Sequence, residues 1–185
     1  PATWQDHFFG DKALVNGKVW PFLDVKQGKY RFRLLNGSNS RVYNLSLSSG
    51  DPFTVIGNDL GLLPAPVVRD TLLLNPGERL DVVVDFAAHP PGTEIVLTND
   101  APTPYPGTPG AGVIPQIMQF VVQAAPGHTN ALPDSLVSFA RIPEGESVIS
   151  RDFHLVKEAG SCAGSIWTIN GLLWDDITEQ PVLGT

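Results

Sequence analysis

Glycine and proline interrupt this chain too often for long helices. There are 18 Gly and 17 Pro in 185 residues, and proline can neither donate the backbone hydrogen bond of a helix interior nor avoid clashing there. What lies between the breakers is strand-length and alternates apolar with polar residues, the two-residue period of a half-buried strand. KYRFRLLN over 29–36 puts Tyr30, Phe32 and Leu34 on one face and Arg31, Arg33 and Leu35 on the other. RVYNLSLSS over 41–49, FTVIG over 53–57, TEIVLTN over 93–99 and QIMQFVVQ over 116–123 are of the same kind. LLLNPGERLDVVVDF over 72–86 holds two apolar runs about a Pro-Gly turn, and VISRDFHLV over 148–156 resumes strand character. The expected architecture is all-β, a Greek-key antiparallel barrel or sandwich with helices only as short connectors.

Two stretches break the rhythm. Residues 100–115, DAPTPYPGTPGAGVIP, are too rich in Pro and Gly for a ladder and read as a long, structureless surface loop. Residues 124–147 read as a linker. A phrase also recurs: LVNGKVW over 14–20 and TINGLLW over 168–174. Asn-Gly favours a type I′ hairpin turn, whose two central residues both need positive φ. With a Trp three residues past the Gly in each copy (Trp20 and Trp174), the repeat points to duplicated units. The expected organisation is a leading segment over 1–8, a barrel over 9–123, the linker over 124–147, and the opening strands of a second, incomplete unit over 148–185. Apolar strand faces without a barrel to complete leave open edges; that tail is expected to lie against the first barrel or to exchange between copies of the chain.

A formal charge of −7 with no Lys/Arg run offers little to a phosphate backbone or an anionic lipid surface, so neither nucleic acid nor membrane is an expected partner. No apolar run approaches the roughly 20 residues of a transmembrane helix. The beginning, PATWQDHFFGDK, has no basic-then-apolar signal region and reads as a cut end, which leaves the compartment unknown. The single cysteine, Cys162, has no partner within the chain for a disulfide.

GDKALVNGKVWPFLDVKQGKYRFRLLNGSNSRVYNLSL, then FTVIGNDLGLLPAPVVRDTLLLNPGERLDVVVDF, then IMQFVV, resembles the middle cupredoxin domain of bacterial three-domain multicopper oxidases, in the spore-coat laccase, bilirubin oxidase and phenoxazinone synthase group. INGLLWDDITEQPVLGT is similar, more loosely, to the start of the third domain. The resemblance implies a parent enzyme, laccase-like, that oxidises phenolic or pigment-like substrates at a type 1 copper and reduces O2 to water at a trinuclear cluster. It implies a middle domain without copper, spacing the first and third domains as its partners, and a fragment inactive by itself. It also makes the loop carrying Tyr105 a candidate rim of the substrate site. The competing reading is a free-standing β-sandwich binding module for carbohydrate or protein, against which the unfinished second copy argues.

The residue types that carry copper chemistry do not stand in its pattern. A blue-copper centre needs two His and one Cys thiolate converging, whereas His7, His89, His128 and His154 include no H-x-H pair, and Cys162, in GSCAGS, is not flanked by His. Each histidine reads as solvated or singly satisfied, Cys162 as a small turn or buried thiol, and Met118, in QIMQF, as core filler. Asp81 and Asp85 share a strand face and read as a solvated pair or as partners of Arg79; Asp59, among Gly and apolar residues, reads as a carboxylate capping a turn. No catalytic, cofactor-binding or metal-ligating residue is therefore assigned within these 185 residues.

Overall fold

The structure is a computed structural model, described for residues 7–159 and 165–173. Trp4, Cys162 and Trp174 lie outside the described residues. The chain divides into two compact units, one of residues 7–139 and one containing residues 140 onward.

In the first unit, Leu14–Val15 (β1) and Lys18–Val19 (β2) form a hairpin whose turn is Asn16-Gly17, with φ of 50° and 80°. The type I′ geometry expected of that dipeptide is present. Phe22–Gln27 (β3) and Lys29–Leu35 (β4) follow, then Tyr43–Leu47 (β5), Phe53–Asn58 (β6), Gly61–Arg69 (β7), Leu72–Leu74 (β8), Arg79–Asp85 (β9), Glu94–Asn99 (β10) and Gln116–Pro126 (β11). They form a five-stranded sheet in the order β3-β11-β10-β5-β8 and a four-stranded sheet in the order β4-β9-β6-β7. Every pair is antiparallel except β3 with β11. The all-β, two-sheet fold expected from the periodicity is the fold observed.

Strand alternation supplies the core. Val25, Leu45, Leu72, Ile95, Phe120 and Val122 from the five-stranded sheet meet Phe53, Val55, Val82 and Val84 from the other, with Phe86 just beyond β9. Tyr30 and Phe32 face inward from β4 as their spacing demands, and four rings bridge the sheets: Phe32 to Phe120 at 5.4 Å between centroids, Phe120 to Phe86 at 5.1 Å and Phe86 to Tyr30 at 5.8 Å. These are tilted or edge-on contacts, the arrangements aromatic quadrupoles favour.

Two features depart from a simple meander. The runs on either side of Asn75-Pro76-Gly77 do not pair with each other: β8 joins β5 in one sheet and β9 joins β4 and β6 in the other. The Pro-Gly turn is a crossing between sheets. The chain crosses in the same way from β3 to β4 through the single residue Gly28, where it passes against Gly127: Gly127 N–H donates to Gln27 O at 2.7 Å and Lys29 N–H to His128 O at 2.6 Å. β11 runs through Pro126, three residues past the limit read from sequence, and Leu136 N–H still donates to Pro64 O within this unit.

Among the described residues of the second unit, a 3-10 turn, Glu144–Glu146, precedes a hairpin of Leu155–Ala159 (β12) with Ser165–Ile169 (β13). The strand expected over 148–156 begins only at Leu155, because residues 148–154 have no ladder partner among the described residues. The second Asn-Gly again takes positive φ, 54° at Asn170 and 76° at Gly171, and closes a bridge between Ile169 and Leu172.

Candidate functional site

Tyr105 sits on the β10–β11 connection with 42% of its surface exposed. That connection is not structureless. Thr103 N–H donates to Ala111 O at 2.8 Å and Ala111 N–H to Thr108 O at 3.0 Å, while Ala101 and Ile114 at its two roots are buried. Asn99 fastens both roots: its Oδ1 accepts from Asn44 N–H at 2.9 Å and Ala101 N–H at 3.2 Å, and its Nδ2 donates to Ile114 O at 3.1 Å. At Gly112 the backbone has φ +59°, and a β-carbon would lie 3.1 Å from both Cβ and O of Thr103, so glycine alone suits the position.

The second anchor is Arg41, 5% exposed. Its guanidinium donates to Thr103 Oγ1 and to Gly112 O at 2.8 Å on the loop, and to Gly10 O at 2.7 Å ahead of β1. Asn36 holds Arg41 in turn: Asn36 Nδ2 donates to Arg41 O at 2.7 Å and Leu74 O at 3.0 Å, and its Oδ1 accepts from Ser38 N–H at 3.0 Å. Sequence reasoning did not single out Arg41, Asn36 or Asn99. Each lies in a polar string at a strand end, NGSNSR or TND, that reads as solvated turn. The available signal was an Asn at the end of a strand, a residue suited to satisfying backbone groups as a chain turns.

The histidines do not converge. His89 Nε2 is hydrogen-bonded to Asp51 Oδ2 at 2.6 Å, and His128 and His154 are tied through their backbones, His128 O accepting from Lys29 and His154 N–H donating to Asn170 Oδ1 at 2.8 Å. His7 is exposed. Met118, on β11, packs against the core cluster. Among the described residues no three His, Cys, Asp or Glu side chains stand close enough to hold a metal. This donor set does not fit a copper centre.

The carboxylates serve the scaffold. Arg79 is not the partner of Asp81 or Asp85. The β4–β9 register sets Lys29 opposite Asp85 and Arg31 diagonal to Asp81; Arg31 grips Asp81 with two nitrogens, its Nε 2.8 Å from Oδ1, and Lys29 Nζ is 3.8 Å from Asp85. The hydrogen bond and charge of Asp81 hold the Arg31 guanidinium above its ordinary pKa. Arg79 pairs instead with Asp59, Nε to Oδ1 at 3.1 Å. Asp59 does accept a backbone N–H, from Arg79 at 2.9 Å, while Asn58 Oδ1 caps the β6–β7 turn by accepting from Leu60 N–H at 3.0 Å.

The family model "Multicopper oxidase" matches residues 2–109. The chain belongs to the multicopper oxidase family. Multicopper oxidase LPR1 of Arabidopsis thaliana is 38% identical over 186 residues, covering 98% of this chain and 32% of that protein. A laccase of Bacillus subtilis (strain 168) is 38% identical over 185 residues, covering 96% and 35%. Among solved structures, McoA multicopper oxidase from the hyperthermophile Aquifex aeolicus superposes with a TM-score of 0.73 at 32% identity, covering 92% of this chain and 36% of that one. The fold is thus the cupredoxin sandwich of laccase-like multicopper oxidases, and the chain spans about a third of the length of the curated relatives it matches. The Arabidopsis and Bacillus proteins are each 38% identical to it, so the family holds while a specifically bacterial origin is not singled out.

Proposed function

We propose that residues 7–139 are the copper-free middle domain of a parent multicopper oxidase, a spacer that holds a first and a third cupredoxin domain so that copper ligands from both can meet. The carrying observation is the lopsided coverage: relatives align along nearly all of this chain, yet it accounts for about a third of each. Exposed apolar side chains agree with that role. Leu14, Trp20 and Phe22 are between 51% and 67% exposed along the hairpin and the outer strand that follows it, the surface expected where further domains pack. On this reading the parent oxidises phenolic or pigment-like substrates and reduces O2 to water with copper bound elsewhere in its chain. The loop of Tyr105, fastened by Arg41 and Asn99, forms part of the rim by which substrate enters.

Elemental analysis after copper loading, with an absorbance scan for the blue charge-transfer band, tests the reading on the 185-residue chain. The expected result is no stoichiometric copper and no colour. One or more tightly held coppers per chain would overturn it.

A further inference from the structure

A groove of about 620 Å³ lies within the first unit, bounded by residues 8–16, β4 and the turn of residues 36–41. Its walls are apolar, with Leu23, Phe32, Leu45, Leu97 and Met118 among them. Its charged lining is entirely cationic: Lys12, Arg33 and Arg41, with no carboxylate, in a chain where 19 Asp and Glu outnumber 12 Lys and Arg. The ion pairs among the described residues involve none of these three.

Arg41 adds an independent indication. It is buried, its three hydrogen bonds end on one hydroxyl and two carbonyls, and its Nε has no hydrogen-bond partner. A guanidinium held away from water without a counter-charge carries a desolvation penalty of several kcal/mol. An anion seated in the groove would offset that penalty through the low-dielectric wall, and Lys12 and Arg33, both exposed and both among the lining, add to the favourable potential.

We propose that the groove binds a small amphipathic carboxylate, with its head group toward Lys12, Arg33 and Arg41 and its hydrocarbon portion among the apolar walls. The volume falls within the roughly 300–1,000 Å³ of small-molecule sites, and apolar walls with cationic but no anionic side chains among the lining select an acid over a neutral or cationic molecule of equal length. The site uses no copper and is complete within the first unit, although it shares Leu14 with the apolar surface proposed to meet further domains.

The test is an NMR titration of the isotope-labelled 185-residue chain with octanoate, against octanol and octyltrimethylammonium as controls of equal chain length. Octanoate is expected to saturate at one per chain, with shift changes concentrated at residues 10–16 and 33–41. Octanol should bind about tenfold more weakly, the worth of one charge-assisted contact. The double variant Lys12→Gln/Arg33→Gln, which alters only exposed side chains, should weaken octanoate about tenfold while leaving octanol binding and the thermal midpoint unchanged. Equal affinity for octanol, shift changes elsewhere, an indifferent double variant, or no saturation would each overturn the proposal.

Discussion

Replacing Gly28 with Ala should destabilise the first unit more than its small size suggests. Gly28 alone joins β3 in one sheet to β4 in the other. A methyl group there would lie 2.5 Å from His128 N, 2.6 Å from Gly127 C and 2.7 Å from Gly127 Cα. All three are backbone atoms, so no side chain can rotate away. Comfortable carbon contacts are about 3.5–4.0 Å, and the two segments must therefore separate by about 1 Å. That displacement acts on Gly127 N–H to Gln27 O, Lys29 N–H to His128 O and Phe86 N–H to Gly28 O, which are 2.7, 2.6 and 2.9 Å long. Losing two of them costs about 1 kcal/mol each, and the strain of overpacking adds about 1–3 kcal/mol. The lower entropy of the unfolded Ala chain returns about 0.4–1 kcal/mol. The net loss is about 2–4.6 kcal/mol, or a fall in thermal midpoint of roughly 7–16 °C for a unit of this size. Urea unfolding followed by circular dichroism measures it. Gly17→Ala is the control: it has φ +80° and nothing within 4 Å, so it should lose only the roughly 1–2 kcal/mol of left-handed backbone strain. A Gly28→Ala variant losing less than about 1 kcal/mol would refute the close-approach argument.

Two further outcomes are expected. Asn36→Ala strips the donors from Arg41 O and Leu74 O and the acceptor from Ser38 N–H at a site 3% exposed; urea unfolding should show a loss of about 2–4 kcal/mol, and a change below about 0.5 kcal/mol would mean that water replaces those bonds. In the parent oxidase, Tyr105→Ala should raise KM for a bulky phenol several-fold and leave kcat within about twofold, as removal of a binding contact does; an unchanged KM would remove Tyr105 from the substrate rim.

Features that depend on neighbours along the chain are legible in the amino-acid order. The two-residue period of KYRFRLL turns Tyr30 and Phe32 to the core and leaves Arg31 and Arg33 exposed, as observed. The Asn-Gly pairs turn with positive φ in both copies because backbone sterics are local. The long motifs likewise place the chain in its family. Tertiary structure decided what depends on distant partners. β8 and β9 are near in sequence yet pair in different sheets, and no local pattern encodes which remote edge is free. β7 is a strand despite Pro64 and Pro66 because it is the outermost strand of its sheet, where a missing donor is tolerated. The base of the Tyr105 loop is fixed by Asn99 and Arg41, polar residues whose burial follows only once segments far apart in the chain close over them. The division has one cause: alternation and turn sterics act between adjacent residues, whereas pairing and burial arise between residues that only the completed fold brings together.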